Sequence, residues 1–222
     1  VTVIIDATGL REYSRYLKML PDIAPRAAAL AINQTAERQG LTLAREAMLS
    51  EVAFPVGYLN GSDGVGQKRF RLKYRAGVDR LEAGIVGQFT PTPLARFSSA
   101  RTGFARARVS GRRRRRSAAG TGVTVTIQPG RPRAIKRAFL INLRSGNVGL
   151  GIRLRPGETM EHTVGAKLIT SGPLAGVALL YGPSVDQVFR TVAVDISPAL
   201  LVYLQAEFLR QIQRMSGGRG GI

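Results

Sequence analysis

The chain has 222 residues, 44% of them hydrophobic and 21% charged, with no cysteine and one histidine. That supplies enough apolar material for a core without metal or disulfide help. It excludes a wholly disordered protein, disulfide frameworks, thiolate zinc sites and cysteine nucleophiles. The formal charge of +19 points to a polyanion such as nucleic acid, or to an acidic protein neighbour, as partner.

The N-terminus, Val1-Thr2-Val3-Ile4-Ile5-Asp6, has no basic lead-in and makes a poor secretory signal. It reads as an unprocessed cytoplasmic product lacking only its initiator methionine. No run of about 18 uninterrupted apolar residues occurs, so no transmembrane helix and no membrane partner are expected. Arg11 to Leu20 suit a short helix closed by Pro21. Pro25 fits the first turn of a second helix, where its missing N–H costs nothing. That helix is expected to run to about Glu51 and to bend at Gly40, which weakens its middle by about 1 kcal/mol relative to Ala.

After the Gly-rich break at Asn60 to Gly64, Phe70, Leu72 and Tyr74 alternate with Arg71, Lys73 and Arg75, the period of a half-buried strand. Leu81 to Gln88 suit its partner, and Thr90-Pro91-Thr92-Pro93 is expected to break the pattern. Ser98 to Gly122 shows no hydrophobic period and reads as an inserted, flexible basic loop. Val123, Val125 and Ile127 alternate with Thr as a further strand before Pro129. Ala138–Arg144 and Val148–Arg155 flank Ser145-Gly146-Asn147 as a hairpin. Val177 to Tyr181 reads as a buried strand ended by Gly182-Pro183. Ser184 and Gln187 then have the spacing of a capping box at a helix start.

Ser197 as N-cap and Pro198 at N1 suggest a separate last helix, with Leu201, Leu204, Phe208, Ile212 and Met215 as one apolar packing stripe. Run to Met215, it spans about 27 Å at about 1.5 Å per residue. Residues 216–222 read as a flexible tail. The pattern is α+β: N-terminal helices and a long C-terminal helix on a mainly antiparallel sheet, residues 1–222 being one domain interrupted by the loop over 98–122.

Charge is uneven along this plan. No acidic residue lies between Glu82 and Glu158, whereas Arg106, Arg108, Arg112, Arg113, Arg114, Arg115 and Arg116 all fall there. These arginines could neutralise phosphates, with counterion release and no reading of base sequence. Docking on an acidic protein surface and simple solvation are the competing readings. Only Phe97 and Phe104 are nearby aromatics, so a base-stacking platform is weak.

Little else carries chemistry. His162 is the only histidine, which leaves no His-based metal site, and Glu161-His162-Thr163 reads as a loop. Asp186 and Asp195 are placed near helix starts, where negative charge is ordinary. Gly146 to Gly151 does not open a helix, and Gly61 to Gly66 lacks the Lys-Ser/Thr of a phosphate-cradling loop. No catalytic or metal site is expected, no cofactor, and no enzyme activity.

Three stretches carry a family resemblance: Ala29-Leu30-Ala31-Ile32-Asn33-Gln34-Thr35-Ala36; Ala138-Phe139-Leu140 running into Ser145-Gly146, Val148-Gly149-Leu150 and Arg153; and Leu180-Tyr181-Gly182-Pro183-Ser184-Val185. In order and spacing they resemble the phage minor tail protein Z family of tail completion proteins. The resemblance implies a structural virion protein, made in the host cytoplasm and added at the head-proximal end of the tail. It implies a ring of identical copies, a hexamer favoured over a dodecamer, between the tail tube or terminator and the head–tail connector, with phage DNA in the channel. The alternative is a nucleic-acid-binding or assembly protein that uses the arginine-rich loop without sequence specificity. The arginine run itself does not come from the resemblance.

Overall fold

The computed structural model describes residues 2–6, 23–63, 67–98, 122–143, 146–155, 157–158, 165–172 and 174–217, with the backbone alone at 2–6 and 216–217. The helix expected over Arg11–Leu20, the arginine run and His162 lie outside the described residues. The fold is α+β, as expected from the sequence. Where the sequence suggests one domain, the chain forms two compact units. Val1–Met48, Gly57–Phe89 and Val185–Ile222 make the first, and Leu49–Val56 with Thr90–Ser184 make the second.

The first unit holds an antiparallel three-stranded sheet, β1 (Thr2–Asp6), β3 (Glu82–Gly87) and β2 (Phe70–Tyr74), with β3 in the middle. Pairing of Thr2–Asp6 with β3 was not expected from the sequence, where the stretch stands alone at the terminus. Helix α1 (Ala24–Gln34) and α2 (Leu41–Glu51) are joined without a break by a π-helical segment, Thr35–Gly40. The irregularity expected at Gly40 is therefore wider helical winding over six residues. Ala24, Ala27, Ala28 and Ala31 are buried, and these small side chains let α1 pack closely on the last helix, α3 (Val185–Gly217). Phe70 of β2 meets Phe189 of α3 edge to face at 4.9 Å, an arrangement favoured by the ring quadrupoles.

Helix α3 corrects two expectations. Ser197 and Pro198 do not start a new helix, because Pro198 lies inside one continuous 33-residue helix. The Ser197 hydroxyl donates back to the Ala193 carbonyl at 2.6 Å, and Val194, Asp195, Ser197 and Pro198 are all exposed. The Val194 carbonyl that Pro198 cannot serve is thus on a wet face, where water replaces the missing donor. Asp195 consequently sits in mid-helix, whereas Asp186 is in the first turn and pairs with Arg190 at 2.9 Å.

The apolar stripe is also rotated from the expected one. Leu204 and Phe208 are buried, but Leu201 is 42% exposed and Ile212 only partly covered, while Leu200, Glu207 and Gln211 take the inward positions. Gln211 donates to Glu207 at 2.6 Å, and Arg210 pairs with the same carboxylate, so the inward acid is engaged. By length and composition alone, α3 is long and apolar enough to cross a membrane, although it contains no uninterrupted apolar run of about 18 residues. Within that stretch Val188, Phe189, Val192, Leu204 and Phe208 are buried, while Val194, Leu201, Val202, Tyr203 and Leu209 are exposed.

The second unit is built on β10 (Val177–Ser184), which pairs antiparallel with β4 (Pro91–Pro93), β8 (Val148–Arg153) and β9 (Ala166–Ile169). β7 (Ala138–Asn142) completes the sheet beyond β8. The expected hairpin is present as β7–β8. The proline-rich stretch expected to break the pattern is instead the short edge strand β4, and β10 does not end at Gly182-Pro183. A register shift between Gly182 and Ser184 places Pro183 at an irregularity, where its missing N–H interrupts no regular ladder. Ile141, Val177 and Leu179 form the core with Phe139, Leu143, Ile169, Leu174 and Tyr181 around them. Gly151 fits between Ile141 and Val177, since a Cβ there would lie 2.6 and 2.7 Å from their side chains.

Candidate nucleic-acid interface

Within the second unit, β5 (Val123–Gln128) and β6 (Arg131–Ile135) form a separate antiparallel ribbon. Pro129 and Gly130 turn the chain between them, with Gly130 at φ 72°, a left-handed conformation that costs glycine little. The inner edge of the ribbon is tied down. Val125 is buried and bridges Ser98, and the Ile127 carbonyl accepts the Ala53 N–H at 2.7 Å. Phe54 and Phe97 pack beneath, with ring centroids 5.9 Å apart.

Strand β6 presents Arg131, Pro132, Arg133 and Ala134 to solvent. Pro132 pairs opposite Thr126 on this free edge, a position tolerant of proline. Arg131 and Arg133 are two residues apart and so project from the same side of the strand. With Val125, Ile127 and Gln128 they line an open cleft of about 530 Å³. Neither arginine has an acidic partner among the described residues. Two guanidinium groups on an anchored strand can therefore meet an anion without first breaking an ion pair.

Arg137 behaves differently. It holds a positive φ of 66°, and its guanidinium donates to both Glu158 oxygens at 2.7 and 2.8 Å and to the Arg153 carbonyl at 2.8 Å. Glu158 also accepts the Arg155 N–H at 2.7 Å. Hydrogen bonds from Arg137 and then from the Arg155 backbone pull the Glu158 carboxyl down to about 2. The first acid after the long basic stretch is thus spent on a loop clamp, leaving Arg131 and Arg133 as the open cations of the ribbon.

The residues first singled out fall into separate groups. Arg106, Arg108 and Arg112 to Arg116 lie outside the described residues, as does Phe104. Phe97 is buried against Phe54 and offers no face to a base. Gly182 sits opposite Thr92, and a Cβ there would come within 2.9 Å of the Phe97 ring. Pro183 and buried Ser184 lead in sequence into α3, with Gln187 exposed on its first turn. Arg131 and Arg133 carried a readable signal, their period-two alternation with Pro132 and Ala134, that was hidden by proline and by the absence of large apolar residues.

Among the described residues no group of three or more His, Asp or Glu is placed to hold a metal ion. The chain matches no family model, no curated protein and no solved structure.

Proposed function

We propose that this chain is a structural virion protein that completes the tail of a tailed phage at its head-proximal end. In this reading, copies assemble as a ring, six favoured over twelve, joining the tail tube or terminator to the head–tail connector around the DNA channel. The supporting observation is where the three resembling stretches fall. Ala29 to Ala36 supplies the buried face of α1 and its passage into the π segment, and both the N–H and carbonyl of Ala76 bond the Asn33 amide at 2.7 and 2.9 Å. The second stretch is the β7–β8 hairpin, and the third is the passage from β10 into α3. All three are scaffold positions, as suits a protein that acts by assembling.

The second reading, nucleic-acid binding without sequence specificity, is favoured by the exposed Arg131 and Arg133, which have no acidic partner among the described residues. The two are separable by co-expressing the chain with tail-tube and connector proteins and treating the lysate with nuclease. Recovery of a ring-sized complex with those proteins supports the tail reading. A chain that stays monomeric after nuclease, yet binds DNA with steep salt dependence, supports the second.

A further inference from the structure

We propose that a cleft in the first unit, walled by Arg45, Lys68 and Arg71, is a binding site for a phosphate-type oxyanion. The cleft has a volume of about 500 Å³. Glu37, Leu41 and Arg45 supply its helical wall, Asn60 and Lys68 the adjoining loop, and Arg71 the strand β2. It is separate from the β5–β6 ribbon in both sequence and unit.

The helical wall is shaped by the π segment. Its extra residue per turn shifts the face on which Leu41 and Arg45 emerge relative to α1, and such segments recur at functional sites. The strand wall is held in register by the Asn33 amide, which bonds both backbone groups of Ala76 just beyond β2. The loop is closed by buried Arg69, which pairs with Asp63 at 2.9 Å and donates to the Tyr58 carbonyl at 2.8 Å. The strand wall and the described loop residues are thus each tied by side-chain hydrogen bonds.

Its charge is one-sided. The single acid in the wall, Glu37, is engaged by Arg75. Arg45, Lys68 and Arg71 have no acidic partner among the described residues. Arg45 is half-buried in the wall, whereas Lys68 and Arg71 are exposed. A tetrahedral oxyanion supplies several acceptor oxygens and the compensating charge together, and forked guanidinium donors suit it.

The test uses the full chain in chloride buffer of matched ionic strength, with inorganic phosphate and an oligothymidylate as probes. Phosphate is expected to raise the melting temperature beyond the chloride control. Lys68→Gln/Arg71→Gln, both exposed positions, and separately Arg45→Gln, are each expected to weaken phosphate binding about tenfold or more by calorimetry. Arg214→Gln, exposed on α3 and outside the cleft wall, should leave it unchanged. If the cleft variants also weaken oligothymidylate binding, the natural source of the anion is a phosphodiester; if only phosphate binding falls, it is a small phosphate. Unchanged phosphate binding in Lys68→Gln/Arg71→Gln, or a chloride effect equal to that of phosphate, overturns the proposal.

Discussion

Gly87 pairs with Phe70 between β3 and β2, and a Cβ on it would lie 2.8 Å from the Asp186 nitrogen and 2.9 Å from its Cα. Those are backbone atoms of the first turn of α3, which cannot swing aside as a side-chain tip does. Gly87→Ala is expected to destabilise the protein by about 1–3 kcal/mol in urea unfolding, the usual cost of forcing atoms into a packed site. Glu158 gives a pH signature of known sign. Its carboxyl is lowered from 4.5 to about 2 by Arg137 and the Arg155 N–H, so the clamp contributes fully above the ordinary carboxylate pKa and is lost as pH falls toward 2. The urea midpoints of the wild type and Glu158→Gln should therefore converge on acidification through that window. The difference should be small because the pair is exposed. Neither role was legible in the sequence: one depends on a close approach between distant segments, the other on a carboxylate folded back 21 residues.

Helix α3 shows how local signals can be overridden by packing. Ser197-Pro198 has the form of a helix start, yet the helix is already formed at Val185 and held by Val188, Phe189 and Val192 on one side of the proline and Leu200 and Leu204 on the other. A proline inside a helix is about 3 kcal/mol less favourable than alanine. Pro198→Ala should accordingly raise the thermal midpoint; a lower one would restore the two-helix reading. The rotated stripe gives a second check. Leu204→Ala should cost about 2–5 kcal/mol, while exposed Leu201→Ala should stay within about 0.5 kcal/mol. The strands and hairpin with strict alternation were legible from their period. The edge strand β4, the ribbon strand β6 and the terminal strand β1 were not, because prolines, arginines or chain position masked a pairing that only their partners define.

At the scale of the whole chain, the α+β class followed from the order of periodic segments, whereas the division into two units did not. The first unit draws on three separate segments, and the second joins Leu49–Val56 to Thr90–Ser184; local pattern carries no record of such returns. The net charge of +19 was legible at once and gives the sign of a partner. It does not say which cations are free, and that distinction rests on geometry: Arg137 is clamped by Glu158, while Arg131 and Arg133 stand open. A highly basic chain repels copies of itself unless anions or acidic neighbours offset the field, a condition met around a DNA channel. Cryo-electron microscopy of intact phage particles tests the tail-completion proposal most directly. A symmetric ring of this chain at the head–tail junction, with the β5–β6 ribbon directed at DNA or an acidic neighbour, is the expected result; particles complete without it would contradict the account.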